Sequence, residues 1–508
     1  IDPKRESPHY RRQKRYQLPL SVCAMMKCGG RQYAYSRRPQ APTPKYDYLF
    51  LDERVRDSFL GFVTDLVRNH SDQIHTLILG HEDHNVPMRH YNTFRELYLE
   101  QDPDTWAKWD DEVRREYGFG KYGLPESKES ATPFERIALQ YWSIERFNKH
   151  ARQAADAARR ESATVDIVSD IAVAGLYPMG YERARGTYGY ITQQMTNGSG
   201  PYRQSCAFAT KMAGDLAGVP VRAGCHIEHY LGSLSGAEAN EVLSSVFRVG
   251  GRSLALWLID WFGKTGSDMH GAPERYRQIL HVLRQLPEMR QLRFPKPDGA
   301  ILYSNISHYG EHWWGGAGLD HEVAFTLLGP RARSWFQFVS DFQIADRTVN
   351  LGRFKVLYVP RCVYQDDETV DRIRGFVGPG GTLVAATPHV FRWRPDGTER
   401  KTLPVDLAGV HATGKRPTPG AFRIVAGNDM PALSAMAATP IPVFADEVLS
   451  IELAGARSLA EFADGQPAVM VNKVGQGRVV TFAVNPFRHN ALSNRTWWQF
   501  FKALQQDL

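Results

Sequence analysis

The 508-residue sequence is poor in cysteine and has no long apolar run. Its five cysteines are odd in number, too few for a disulfide framework, and no two of them form a CxxC zinc pattern. Buried core thiols are therefore expected, and a metal site is not. Because no run approaches the roughly 18–20 apolar residues that span a bilayer, we expect no association with a membrane.

A large excess of charge is also lacking. The formal net charge is +7 at pH 7, and much of it comes from Arg11–Tyr16. No base-reading or stacking motif accompanies these residues, so a solvated basic edge is expected and a nucleic-acid partner is not. No signal peptide is visible ahead of the first strand, although one could have been removed. The compartment stays open, with the cytoplasm slightly favoured over secretion.

The composition is that of a globular protein, with 43% hydrophobic and 23% charged residues. A chain of this length exceeds one compact core, so two or three domains are expected. No sequence repeat or low-complexity segment stands out.

The first part of the chain alternates apolar strands with helices. Residues 52–70 carry apolar side chains at helical spacing, and Asp52 stands where an N-cap is expected. A polar and aromatic stretch over 84–133 is expected to be a long functional loop. The alternation predicts a parallel sheet covered by helices; a closed (β/α)8 TIM barrel needs eight strands, two more than are found. The predicted strands are 18–26, 74–80, 165–170, 188–193, 219–228 and 253–260, and the other helices are 134–160, 202–216 and 237–249.

From Gly299 a second series of strands and helices begins, which predicts a doubly wound α/β unit of flavodoxin type. Pro295 and Pro297 mark a boundary before it. We therefore expect a barrel domain over 1–298 and an α/β domain over 299–508, with a β-rich insertion over about 422–476.

Two glutamates directly follow apolar strands. Glu82 and Glu228 are three predicted strands apart, at the strand ends where barrel enzymes place their sites. Two carboxylates on either side of one bond are what glycoside hydrolysis requires, whereas either one alone would be an ordinary cap or salt bridge. Neighbouring imidazoles and indoles could tune protonation, bind hydroxyls or stack on a pyranose. These residues are His81, His84, His226, His229, Trp257 and Trp261.

The segment LFLDERVRDSFLGFVTDLVRNHSDQIHTLILGHED, with FRELYLEQ after it, resembles the clan A glycoside hydrolases and most of all the family 42 β-galactosidases. This resemblance implies that Glu82 is the general acid/base after barrel strand four and Glu228 the nucleophile after strand seven. It further implies a retaining, exo-acting hydrolase of a terminal sugar that needs no cofactor. Asp83 would contact the sugar, and Tyr190 or Tyr188 the nucleophile. The family usually has Asn where this sequence has His81, which leaves the sugar undecided.

The segments GAILYSN and GRFKVLYVPRCVYQDDETVDRIRGFVGPGGTLVAATP resemble the glutamine-amidotransferase-like trimerisation domain of the same enzymes. The resemblance implies a homo-oligomer, dimer or trimer. An amidotransferase reaction would need a nucleophilic Cys on a sharp strand-to-helix turn. Cys362 has no glycine-flanked turn of this kind, so a non-catalytic domain is expected.

The same mapping makes the strand before Ile74 the third of the barrel, so strands one and two would precede Ile1. An open barrel would expose sheet edges, and we therefore expect a second chain or an upstream segment to supply them. Two alternatives stay open. One is a non-catalytic carbohydrate-binding or assembly protein on a degenerate barrel, and the other is a glycosidase for another sugar.

Overall fold

The computed structural model of the chain describes residues 20–24, 51–81, 91–171, 180–195, 205–226, 236–257, 273–289, 291–311 and 318–508. The chain divides into two compact units. The first comprises Ile1–Ala131 and Leu139–Leu292, and the second comprises Thr132–Ala138 and Arg293–Leu508.

The first unit contains a six-stranded sheet in which every neighbouring pair is parallel. The strands follow one another in chain order across the sheet, as expected when each is joined to the next by a crossover connection. All six strands predicted from apolar runs are confirmed. They are β1 (Leu20–Ala24), β2 (Ile74–His81), β3 (Asp166–Ile171), β4 (Tyr190–Met195), β5 (Val221–His226) and β6 (Ser253–Trp257).

The predicted helix at 52–70 is confirmed, and it begins as its sequence indicates. The Asp52 carboxylate accepts a hydrogen bond from the Arg54 amide at 2.9 Å, which satisfies one of the free donors at the helix start. Up to residue 289, the helices are α1 (Glu53–His70), α2 (Tyr91–Gln101), α3 (Pro103–Glu116), α4 (Pro133–Glu161), α5 (Ser205–Ala217), α6 (Gly236–Arg248) and α7 (Pro273–Met289), with a 3₁₀ turn at Tyr181–Ala184.

The expectation of one long loop over 84–133 is wrong, because α2 and α3 lie within it. Asp102 caps α3 by accepting from the Thr105 amide, and Pro103 occupies its first position. Trp106 and Trp109 are buried against Phe94 of α2, with the rings of Phe94 and Trp109 stacked at 5.6 Å. The aromatic residues thus form a helical packing surface.

Arg146 of α4 joins separate segments of the first unit. Its side chain is 8% exposed, and Nε donates to the Leu51 carbonyl at 2.8 Å. Nη1 donates to both carboxylate oxygens of Glu112 at 3.0 and 2.9 Å, and Nη2 lies 3.4 Å from Glu53. The guanidinium also lies over the Trp142 ring at 5.4 Å. It is therefore both paired and packed.

The second unit contains a nine-stranded mixed sheet. Its parallel part has the spatial order β8-β7-β9-β10-β17, which in order along the chain is 2-1-3-4-5, the order of flavodoxin-like folds. Antiparallel β16, β15, β12 and β13 continue it beyond β17. These strands are β7 (Gly299–Tyr303), β8 (Phe336–Ser340), β9 (Val356–Val359), β10 (Thr382–Ala385), β12 (Ala421–Ile424), β13 (Ile441–Pro442), β15 (Arg457–Phe462), β16 (Pro467–Val474) and β17 (Gly477–Phe482).

A separate ribbon precedes and interrupts the β-rich stretch: β11 (Val410–Pro417) pairs antiparallel with β14 (Glu447–Leu453). Sequence inspection missed β11, because most of its residues are exposed and only Val410 is buried, so it shows no apolar run. The remaining helices are α8 (Asn305–Glu311), α9 (Gly318–Thr326), α10 (Asp341–Ala345), α11 (Asp367–Val377), α12 (Pro431–Ser434) and α13 (Arg495–Asp507), with π turns at Leu327–Arg331 and Pro404–Ala408 and 3₁₀ turns at Leu351–Arg353 and His489–Ser493.

Among the described residues, no helix combines the length and the apolar character needed to cross a bilayer.

Replacing Arg146 with Ala should lower the free energy of unfolding of the first unit by about 3 kcal/mol. The change leaves the Leu51 carbonyl and the Glu112 carboxylate without their donor, and a broken buried ion pair costs about that much. Arg115→Ala is the matched control, since Arg115 and Asp111 form an exposed pair at 2.8 Å and should change stability by no more than about 0.5 kcal/mol. Equal shifts in calorimetric Tm for the two variants would contradict the role given to Arg146.

Glu322 of α9 should make the second unit less stable as the pH rises. Its side chain is 7% exposed, has no hydrogen bond or ion pair with any described residue, and burial raises its pKa to about 7. The folded state holds this proton more tightly than the unfolded chain, so the free energy of unfolding falls between about pH 4.5 and 7 and then levels off. Glu322→Gln should remove this loss and raise stability at pH 8 by up to ~3 kcal/mol.

Calorimetric scans from pH 4.5 to 8 test this prediction, with the exposed Glu452→Gln as control. A Glu322→Gln protein with the wild-type pH dependence would show that another group is responsible.

Candidate active site

Parallel pairing brings the carboxyl ends of all six strands of the first unit to one edge of the sheet. At this edge β2 ends at His81, β5 at His226 and β6 at Trp257. β3 and β4 lie between β2 and β5, so the strands that precede the two predicted catalytic glutamates are three apart. In parallel α/β sheets, this edge is where ligands bind.

The strand ends are staggered. His81 pairs with Asp170, Asp170 with Thr192, and Thr192 with Arg222. β5 therefore continues to His226, four residues beyond the position level with the end of β2. At about 3.3 Å per residue this offset is ~13 Å along the strand.

β2 contains an irregularity just before its end. Ile78 pairs with Val168 while His81 pairs with Asp170, so β2 has one residue more than β3 between these two pairs. The bulge lies at Leu79 and Gly80, immediately before His81. Extra residues of this kind are frequent next to active sites, because they redirect the residues that follow.

The predicted site residues are described to different extents. His81, His226 and Trp257 are the last residues of their strands, and the structure describes their backbone. Tyr188 is 5% exposed and belongs to the core. The predicted residues that lie outside the described ranges are Glu82, Asp83, His84, Glu228, His229 and Trp261.

Tyr190 is the first residue of β4 and pairs with Val168, two residues before Asp170, which is level with the end of β2. Its hydroxyl accepts a hydrogen bond from Arg222 Nη1 at 2.9 Å, and the guanidinium stands 4.7 Å from its ring centroid. Arg222 also donates to Thr192 Oγ1 at 3.0 and 2.8 Å. Five residues separate Tyr190 from the end of its strand, about 16 Å, so its hydroxyl serves Arg222 and we leave it out of the proposed site.

Arg222 points away from the helix layer. A side chain on Gly214 of α5 would touch a methyl group of Val221, so Val221 faces this helix. Successive residues of a strand alternate between faces, which turns Arg222 and Thr192, its neighbour across the ladder, to the other face. Sequence inspection missed this polar group; the signal was an Arg directly after the first residue of an otherwise apolar strand.

The carboxyl edge of the second unit carries a different polar cluster, centred on Asp341. Its carboxylate accepts hydrogen bonds from Asn305 Nδ2 at 2.9 Å, the Ile306 amide at 3.0 Å and Ser304 Oγ at 3.2 Å. Burial raises the pKa of Asp341 to about 6, although these donors oppose the shift. The carboxylate ties the end of β7 to the start of α10.

Cys362 lies beside this cluster and is fully buried. Ser307 Oγ lies 3.6 Å from its sulfur, and burial raises the pKa of the thiol well above its usual range. A nucleophilic cysteine needs a depressed pKa and access to solvent. Cys206 is also buried, so the expectation of core thiols is confirmed for the two cysteines whose side chains are described.

In the parts of the chain that the structure describes, no three His, Cys, Asp or Glu side chains are grouped so that they could hold a metal ion.

Solved structures with this fold are glycoside hydrolases. A β-galactosidase from the haloarchaeon Halorubrum lacusprofundi has a TM-score of 0.69 at 13% identity, over 98% of this chain and 83% of that chain. A family 42 β-galactosidase from G. stearothermophilus, solved as a catalytic mutant, has a TM-score of 0.66 at 11% identity, over 100% of this chain and 81% of that chain. An α-L-fucosidase from Paenibacillus thiaminolyticus has a TM-score of 0.63 at 13% identity, over 98% of this chain and 73% of that chain.

The resemblance to the family 42 β-galactosidases is therefore confirmed for an α/β fold that covers nearly the whole chain. Identities of 11–13% establish the fold alone. No protein-family model matches the sequence, and no curated protein has a similar sequence.

Tyr190→Phe should leave kcat and KM for an aryl glycoside within about twofold of wild type, because its hydroxyl is bonded to Arg222 and Tyr190 lies about 16 Å before the end of its own strand. The lost hydrogen bond to a charged donor should lower stability by about 1.5 kcal/mol. Steady-state kinetics and thermal unfolding measure the two effects. A large fall in kcat with unchanged stability would instead return Tyr190 to the reacting centre.

Proposed function

We propose that this protein is a retaining, exo-acting glycoside hydrolase of β-galactosidase type. The observation that carries the proposal is the arrangement of β2 and β5. These strands end at one sheet edge, three strands apart, in a fold shared with glycoside hydrolases. Glu82 is the first residue after β2, and Glu228 is the second residue after β5.

The stagger between strands favours a (β/α)8 barrel. In such a barrel, neighbouring strands are about 4.8 Å apart and tilted by about 36° to the barrel axis. Two residues at the same height along this axis are therefore offset by about one residue from the hydrogen-bonded pairing of the two strands. Three steps, from β2 to β5, require about three residues, and the strand ends differ by four. His81 and His226 would thus stand within ~3 Å of one height at the barrel mouth. The two strands beyond the described six would come from other residues of the protein or from a second chain.

The reaction proceeds by double displacement. The Glu228 carboxylate attacks the anomeric carbon while Glu82 gives its proton to the leaving oxygen, and the glycosidic bond breaks. Glu82, now a carboxylate, then takes a proton from water as the water oxygen attacks the same carbon and releases Glu228. This chemistry requires no cofactor, because the two carboxylates perform the covalent step and the proton transfers.

The sugar would be held by residues that surround the two glutamates. Imidazoles and a carboxylate beside them would bind hydroxyls, and indoles at the end of β6 would stack on the ring face. His81 stands where the family usually has Asn, so it would bear on which sugar is accepted. The proposed binding residues are His81, Asp83, His84, His226, His229, Trp257 and Trp261.

We propose that the second unit is a non-catalytic, amidotransferase-like assembly domain, over about 299–508, of a homo-oligomeric enzyme, dimer or trimer. The flavodoxin-like strand order agrees with such a domain. The buried Cys362 thiol, with its raised pKa, argues against thiol chemistry there.

The alternative to a β-galactosidase is a glycosidase that acts on another sugar, and one observation favours it. An α-L-fucosidase shares this fold at a TM-score of 0.63, close to the values for β-galactosidases. A panel of aryl β-galactoside, β-glucoside, β-mannoside and α-L-fucoside substrates would separate these specificities by kcat/KM.

Glu228→Gln should abolish turnover of the best substrate in this panel, because the amide cannot form the glycosyl-enzyme. Glu82→Ala should slow a poor alkyl leaving group by about 10²–10⁴-fold, and an activated dinitrophenyl group far less, because the latter leaves without protonation. Steady-state kinetics measure both effects. The first product, followed by NMR, should keep the anomeric configuration of the substrate.

Glu96→Gln and Glu96→Ala are the controls, since Glu96 is an exposed residue of α2. Near-normal activity of Glu228→Gln would refute the site, and an inverted first product would refute the double displacement. No turnover by wild type on any substrate, with sugar binding retained, would favour the non-catalytic alternative.

A further inference from the structure

The second unit has a cleft at the amino-terminal edge of its parallel strands. It measures about 810 Å³ and lies between the loop after α10, the end of α11, and the starts of β9, β10 and β17. A cleft of this size is within the range of small-molecule sites. It lies at the sheet edge opposite to the one that carries Asp341 and Cys362.

The charged side chains that line this cleft are all cationic. Arg347, Lys355, Arg372 and Arg478 contribute to its wall, and no aspartate or glutamate side chain does. Two of the four have acidic partners outside the cleft: Arg372 donates to Glu368, and Lys355 lies 3.3 Å from Asp298. The cleft wall, which also includes Leu508 at the end of the chain, therefore carries a net positive charge.

The guanidinium groups of the other two cations, Arg347 and Arg478, make no hydrogen bond or ion pair with the residues that the structure describes, although Asp429, which is paired with Arg457, also feels the charge of Arg478. Arg347 is exposed and Arg478 is half-buried at the start of β17. Guanidinium groups present planar pairs of N–H donors that match phosphate oxygens. The side-chain donors of both arginines are therefore available to a bound anion.

The backbone around the cleft adds a second indication. Arg347 has a φ of 58°. This left-handed backbone conformation is energetically unfavourable for any residue that carries a side chain. The turn Pro379–Gly381 also lines the cleft; Gly380 has a φ of 132° and no atom lies within 4 Å of where its side chain would be, whereas the Phe376 ring packs against Gly381. The cleft is thus lined both by an arginine in a strained conformation and by an uncovered glycine.

We propose that this cleft binds a small anion with two or more phosphate groups. The multiple cations select multiple negative charges, and the uncovered glycine allows phosphate oxygens to approach closely. The site is separate from the proposed glycosidase site, so its ligand would regulate or stabilise the enzyme rather than react.

Isothermal titration of the full chain with inorganic pyrophosphate, at low salt and pH 7.5, tests the proposal. Wild type should bind one pyrophosphate per chain, more tightly than inorganic phosphate, and affinity should fall as salt rises. Arg347→Ala/Arg478→Ala should weaken binding by at least about tenfold, since two charge-assisted contacts are lost. The same ligand should raise the Tm of wild type and not that of this variant.

Arg293→Ala/Arg333→Ala is the matched control. It removes the same charge from the same unit at exposed arginines that do not line the cleft, and Arg333 also has a left-handed φ of 63°. Binding should be unchanged in this control. The proposal is overturned by absent binding in wild type, or by equal weakening in both double variants, which would indicate a general charge effect.

Discussion

Parallel pairing is the constraint from which the rest of this structure follows. A parallel strand cannot return to its neighbour by a tight turn, so a helix must cross the sheet face between them. The covered parts of the strands then carry buried apolar side chains, such as those of Leu77 and Leu79 of β2. The same rule sends every carboxyl end to one edge, where the loops are free to carry polar chemistry.

The edges of the parallel sheets carry polar groups with different roles. At the carboxyl edge of the second unit, the Asp341 carboxylate is enclosed and satisfied by Asn305, Ser304 and backbone amides, so the polar groups serve packing. At its amino-terminal edge, the side chains of Arg347 and Arg478 make no hydrogen bond or ion pair with the described residues. A polar group that is buried and hydrogen-bonded within the protein serves the structure, whereas exposed side chains whose donors are unused can bind a ligand.

Sequence patterns were most informative where one segment decides the outcome. The six strands of the first unit and the Asp52 cap depend on neighbours in sequence, and all were predicted. α2 and α3 were misread because Trp106 and Trp109 resemble a loop's aromatic residues until Phe94 is seen to pack on them. The Tyr190–Arg222 pair and the basic cleft join residues from distant segments, and no local pattern reports such a meeting.

The position of β17 has a consequence for how the chain is made. β10 ends at Ala385, and its parallel partner β17 begins at Gly477, after the β11–β16 stretch has been synthesised. Until then the nascent polypeptide exposes one unpaired edge of an apolar strand, the kind of surface that chaperones cover and aggregates recruit. With so distant a partner, this last pairing would set the pace of maturation in the second unit.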